Sequence, residues 1–372
     1  MAELIQEPIE QVYSLNFGPQ HPSTHGVLRI LLKMDGEYIV EAEPVIGYGH
    51  RGHEKMAENR TYKQFMPNPS RVDYLSGLLY NHGYCLAVEK LAGIEVPERA
   101  KYIRTICAEL NRISSHLLWF GAYLLDLGAF TPFLYSFDDR EQLLDLLDSI
   151  TGSRLTYSYC RFGGVCKDVD QTFTDGVLGF IKRLRGRLPD YHALVTGNVI
   201  FIERTRNIGV IPKDLALRFG VSGPTLRGSG IPYDIRKVEP YEIYDRFDFE
   251  IPTGQNGDAL DRYNVRLAEI EQSCRIIEQA IAALPEGDYR NKKVPSKVKP
   301  PKGEVYFAFE SARGLTGFYL VSDGSHVPYR CHIRVPSYGN LHVTTDLFKD
   351  EMVADIVAIL GSTDLVIPEI DR

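Results

Sequence analysis

Between residues 12 and 45 apolar and polar positions alternate, and Asp35-Gly36 separates two such runs, VLRILL and YIVEAEPVI. Alternation with a period of two marks strands buried on one face, and Asp-Gly between such runs is a strong hairpin signal. A small antiparallel sheet is expected there, with HPSTHG leading into its first strand. From about residue 55 the period becomes helical. Tyr74, Leu78, Tyr84, Cys85, Val88 and Leu91 mark one stripe; Ile106, Leu110, Ile113, Leu117, Phe120 and Leu124 mark a second. Further helices are expected over 138–150, 170–187 and 258–284. CRFGGVC and the Gly/Pro-bearing stretch 221–237 read as loops between them. The run YRNKKVPSKVKPPKGE, 289–304, reads as a linker by composition. Residues 305–345 alternate again as strands, and a last helix is expected over about 350–361. Sheet, helical bundle, sheet is an α+β order. It divides the chain into an N-terminal β unit (1–54), a helical bundle (55–288), and a linker with a C-terminal β/α segment (289–372).

The second helical stripe carries a polar strip. Glu109, Arg112 and His116 share one side of it, and Asp126 lies near them by angle. Polar residues on an otherwise apolar helix imply buried partners. Asp126, inside AYLLDLGAF, needs a specific one. The stretch 117–135 has the length of a membrane span. Asp126 near its centre and Pro132 later speak for a buried core helix instead, because mid-bilayer charge costs at least ~2.5 kcal/mol. A chain soluble by itself is expected.

Composition narrows the classes. The chain is 44% hydrophobic and 24% charged, an ordinary globular balance. Its net charge of −7 gives a nucleic-acid partner no electrostatic support. Six cysteines without a C-x-x-C pair read as reduced thiols in an intracellular chain. The acidic start, MAELIQEPIEQ, has no apolar core of a secretory signal.

A metal site could draw on His21, His25, His50 and His53. Histidines four apart share a face only on a helix, Pro22 opposes a helix there, and Arg51 would repel a cation. GSGIP lacks the lysine and the strand–turn–helix setting of a phosphate loop, and no nucleophile elbow occurs. What remains is a grouping of His25, Tyr74 and Asp126 from different elements. It suits proton-coupled redox chemistry on a carbonyl: tyrosine and histidine can hydrogen-bond its oxygens and deliver protons, while a carboxylate holds the imidazole and raises its pKa. From the residues alone this is one grouping among many.

LNFGPQHPSTHGVLR, EPVIGYGHRGHEKMAENRTY, RVDYL, ELNRISSHLLWFG, LLDLGAFTPF, REQLLDLLDSITGSR, GVSGPTLRGSG, ESARGLTGFYLVSDGS, PYRCHIRVPSYGNL and the terminal IDR follow one another in order. Over residues 13–372 this series resembles the family of the quinone-facing, 49-kDa-type (D-type) component of respiratory complex I, the NADH–quinone oxidoreductase. That family is itself similar to the large subunits of nickel–iron hydrogenases. The resemblance implies a hydrogenase large-subunit-like fold whose metal cavity has become a quinone pocket, with no metal held by this chain. It implies that His25, on a mobile loop, and Tyr74 bind the quinone headgroup, and that Asp126 partners His25. Arg51 and Arg71 match arginines near the terminal iron–sulfur cluster of a small neighbouring subunit of the B type.

Further partners implied are subunits of the C and H types, in an ion-translocating respiratory complex peripheral to the membrane on the cytoplasmic side of the inner membrane. NAD would enter only through other subunits. Rival readings are a metal-bearing hydrogenase-type large subunit and a structural subunit with a dead site. Three departures stand out. Thr156 occupies SRLTYSYCR where many members have a histidine that bonds the cluster. The insert common before PPKGE is absent. Leu315 stands where a glutamate is usual. The first two resemble members working with low-potential quinones such as menaquinone.

Overall fold

A computed structural model describes residues 12–24 and 26–372. Strands β1 (Val12–Phe17), β2 (Arg29–Asp35) and β3 (Tyr38–Val45) form an antiparallel sheet in that order. Asp35 pairs with Tyr38 across Gly36, whose φ of 59° is the left-handed value such a turn requires. Ile30, Leu32 and Met34 alternate onto one buried face of β2.

The helical part contains α1 (His53–Glu58), α2 (Tyr62–Phe65), α3 (Gly77–Ala92), α4 (Glu98–Asp126) and α5 (Phe130–Thr151). After the short ladder β4 (Cys160–Arg161) and β5 (Gly164–Val165) come α6 (Gln171–Tyr191), α7 (Val199–Glu203), α8 (Lys213–Arg218), α9 (Gly223–Gly228), α10 (Ile235–Val238) and α11 (Ala259–Ala282). The spine is α4, whose 29 residues span roughly 43 Å. Leu110, Ile113, Leu117, Phe120 and Leu124 face a core completed by Leu143 and Leu147 of α5, Phe180 and Leu184 of α6, and Ile270 and Ile277 of α11.

The C-terminal part contains β6 (Gly303–Glu310), β7 (Leu315–Ser322) and β8 (Arg330–Arg334), followed by α12 (Pro336–His342), α13 (Thr344–Leu347), α14 (Ile356–Thr363) and α15 (Ile367–Asp371). Phe309, Phe318 and Leu320 of this antiparallel sheet pack on Tyr80, Tyr84 and Val88 of α3. A third core joins Leu28, Ile30, Leu32 and Ile39 of the first sheet to Leu341, Phe348, Ile359 and Ile367 near the other end of the chain.

The α+β order, the hairpin and the long helices agree with the sequence pattern. CRFGGVC, expected as a loop, carries the β4–β5 ladder, and 336–347, expected within the strand run 305–345, is helical (α12 and α13). Two further local expectations fail. The stretch 117–135 is two helices: α4 ends at Asp126, Gly128 turns at φ 87°, and Pro132 sits in the first turn of α5, where its missing N–H costs nothing. Asp126 is therefore at a helix end and partly exposed. The second is the loop expected over 221–237, which holds α9 and α10. No helix among the described residues is long and apolar enough to cross a membrane.

Candidate functional site

Glu109, Arg112 and His116, the polar strip of α4, are fully buried. Glu109 accepts hydrogen bonds from Arg112 Nε and Arg236 Nη1 (both 3.1 Å) and from Tyr244 and Ser273 hydroxyls (both 2.7 Å). Burial pushes its carboxyl up, but Arg112 and Arg236 outweigh burial and hold it at about 2. His116 Nε2 lies 3.1 Å from Glu269, which also receives Arg227 Nε at 2.7 Å. These contacts tie α4 to α9, α10 and α11, while His116 Nδ1 and Arg227 Nη2 are buried with no hydrogen-bond partner among the described residues.

Tyr74 sits just before α3, beside a second buried polar group. Asp73 accepts the backbone N–H groups of Leu75 (3.0 Å) and Ser76 (3.1 Å), and its other oxygen accepts Arg313 Nη1 at 2.8 Å. The same guanidinium donates to Ser115 of α4 (3.2 Å) and to Asp364, after α14 (3.2 Å). Burial raises the Tyr74 phenol above its ordinary value; Arg313 opposes this, and Asp73 and Asp364 add to it. The phenol thus keeps its proton at neutral pH. It is partly exposed, and its hydroxyl makes no hydrogen bond among the described residues.

Asp126 lies farther along the same helix. From Ser115 to Asp126 the rise is about 16 Å, and α14 bridges the interval. Its residue Gly361 accepts Trp119 Nε1 at 2.7 Å and faces the Tyr123 ring so closely that a Cβ would overlap it. The 3-10 turn Pro22–Thr24 packs on α14, and Gly26 abuts Ile367 of α15. The Thr24 hydroxyl lies 2.7 Å from the carbonyls of both His21 and Gly26. His25, between them, lies outside the described residues.

The arginine candidates come together. Arg51 Nη2 donates to the Arg71 carbonyl at 2.7 Å, and Arg71 donates to that of Pro67 at 2.8 Å; both heads are exposed. Ser70 and Leu155 carbonyls flank Gly77, so the segment bearing Thr156 runs beside the one bearing Arg71. Next to Arg51, the buried His53 ring has no hydrogen-bond partner among the described residues, and burial followed by Arg51 and Arg71 lowers its pKa to about 4. Among the described residues no group of three or more His, Cys, Asp or Glu is arranged to hold a metal ion.

Around the Asp126 end of α4 the surface is mostly apolar. Leu124, Leu127, Val195 and Phe201, with Asn198 and Arg204, line a cavity of ≈ 240 Å³. Phe130 (57% exposed), Val199 (70%) and Ile200 (73%) add exposed apolar side chains near this end.

Sequence reasoning assigned no role to Arg313, Asp364 or Glu369. The signal was present in ESARG and in the acidic tail DLVIPEIDR, but only the fold brings these segments to Asp73. Tyr80 donates to Glu369 there, and burial followed by the nearby Asp73 raises the Glu369 carboxyl to about 7.

Residues 126–372 match the family described as respiratory-chain NADH dehydrogenase, 49 kDa subunit. The chain is 70% identical over 363 residues to the D subunit of the NADH-quinone oxidoreductase of Syntrophobacter fumaroxidans, covering 98% of this chain and 97% of the relative. It is 55% identical to the corresponding protein of Desulfotalea psychrophila over the whole of both chains. It is 51% identical to another such D subunit, that of Opitutus terrae numbered 2, covering 97% and 91%.

Proposed function

The chain belongs to the family of the 49 kDa subunit of respiratory-chain NADH dehydrogenase, and from that premise we propose that quinone is bound and reduced on it. It is one component of a multi-subunit oxidoreductase complex of the translocase class. In this reading two electrons arrive from an iron–sulfur cluster in an adjacent small subunit of the B type, two protons are taken up, and quinone leaves as quinol. Tyr74 and His25 hydrogen-bond the two quinone oxygens, and Asp126 holds the His25 imidazole. Arg51 and Arg71 lie toward the cluster and stabilise its reduced form; Thr156 replaces a titrating neighbour with a neutral hydroxyl. The substrate is a low-potential quinone of the menaquinone type. Subunits of the C and H types complete the surroundings, with the chain peripheral on the cytoplasmic side of the membrane and its apolar end toward the membrane subunit.

The observation that carries the reading is the Tyr74 phenol. It is protonated, partly exposed and without an acceptor among the described residues, while Asp73 and Asp364 beneath it are both engaged by Arg313. A donor held in that way suits a ligand carbonyl. Tyr74→Phe in the intact complex is therefore expected to leave subunit composition unchanged. Quinone reductase activity falls by roughly 5- to 150-fold, the loss of one hydrogen bond worth about 1–3 kcal/mol. Unaltered quinone kinetics would remove Tyr74 from the site.

A further inference from the structure

The chain carries a net charge of −7, yet residues 289–303 hold six basic side chains and no acidic one. Arg290, Lys292, Lys293, Lys297, Lys299 and Lys302 are all exposed. The segment is not a loose tether. Asn291 donates its N–H to the Gly163 carbonyl (2.7 Å) and its side-chain amide to the Glu95 carbonyl (2.9 Å). Arg290 bridges to Gly164, Val298 is buried, and the Pro300 carbonyl accepts the Ser322 hydroxyl at 3.1 Å. The backbone is strapped down while the cationic heads point to solvent. Only Lys292 has an ion-pair partner among the described residues, Asp288 at 3.4 Å, and that pair is exposed on both sides.

Position gives the strap its meaning. Glu95 and Gly163 lie at the start of α4, where Arg104 reaches the Gly164 carbonyl. The exposed apolar side chains near Asp126 lie at the other end of α4, roughly 43 Å away. No large apolar side chain between residues 289 and 303 is exposed, so the strap lacks the hydrophobic anchors of a lipid-binding segment. The acidic balance of the chain opposes nucleic acid.

We propose that the 289–303 strap is a docking surface for an acidic face of a water-soluble partner subunit, on the side of the molecule remote from its apolar end. Each exposed pair contributes little by itself, so the row acts through complementary potential, and its hold depends on salt. The test uses the intact complex. Carbodiimide coupling at low salt, which joins amines directly to carboxylates, is expected to link Lys293, Lys297 or Lys299 to Asp or Glu of another subunit. These links are lost near 1 M salt, where the screening length shrinks to about 3 Å. Combined Lys293→Gln, Lys297→Gln and Lys299→Gln substitution is expected to release that subunit at lower salt than in the unaltered complex. These side chains support no core, so the chain still folds. Links confined to this chain, ready modification of the three amines in the intact complex at low salt, or unchanged salt release would each overturn the proposal. So would loss of binding to anionic lipid vesicles, instead of to a partner protein, in the triple variant.

Discussion

Glu109 and Glu369 are both fully buried, and their neighbours push them in opposite directions. Two guanidiniums and two hydroxyls surround Glu109, so it stays ionised against the pull of burial, at about 2. Glu369 meets the carboxylate of Asp73 and the Tyr80 hydroxyl, and burial raises it from the ordinary 4.5 to about 7. Between those two values the folded chain holds a proton that the unfolded chain has released. Stability from Glu369 is thus fully present below about 4.5 and is lost as pH rises through about 7. Glu369→Gln is expected to flatten part of the fall in thermal midpoint between pH 5 and 7, a contribution on the order of 3 kcal/mol. Glu310, also raised to about 7 by burial and by Asp234, keeps the rest of the slope. Midpoints of variant and parent complex that run parallel with pH would refute the assignment. None of this pairing was legible beforehand. The helical period put Glu109, Arg112 and His116 on one strip, but their partners Arg236, Ser273 and Glu269 lie more than a hundred residues later, and periodicity carries no information about such contacts.

Elements tell a different story. The long helices and the two three-stranded sheets are legible because each repeats its period several times; α12 and α13 fall in the run 305–345 that alternation assigns to strands, and α15, like them, is too short to repeat a helical period. Gly83 shows where local reasoning fails. Glycine inside a helix costs roughly 0.5–1 kcal/mol relative to alanine, so Gly83→Ala looks stabilising from the sequence. In the fold α3 meets β6 there, and a Cβ on residue 83 would overlap the Phe309 ring. Phe309 is itself fixed by Tyr80 edge-on at 5.9 Å and Phe318 stacked at 6.0 Å, so it cannot easily retreat. Gly83→Ala is therefore expected to destabilise by about 1–3 kcal/mol. A thermal midpoint that rises in the variant would show that the sheet can shift away from the helix.

Across the whole molecule, the proposed headgroup site depends on parts far apart in sequence: the HPSTHG loop, the start of α3, the end of α4 and the tail from Asp364. The motifs are readable as a family resemblance, whereas the packing of the Pro22–Thr24 turn and of α4 on α14 is not. If His25 and Asp126 act as a pair, His25→Ala and Asp126→Asn should each lower quinone turnover to a similar degree, and the double variant should be little worse than either. Full additivity in steady-state assays on the assembled complex would mean that the two act independently.

The core that joins Ile30, Leu32 and Ile39 to Ile359 and Ile367 also sets a timetable. Ile39 leaves the ribosome about 320 residues before Ile359, which at about 5–20 residues per second is a wait of roughly 15–60 s. Throughout that interval the part of its apolar face that Ile359 and Ile367 complete stays open. A nascent chain of this kind is a natural client for a chaperone that shields β-structure, and slowing synthesis after the first hairpin would lengthen its exposure.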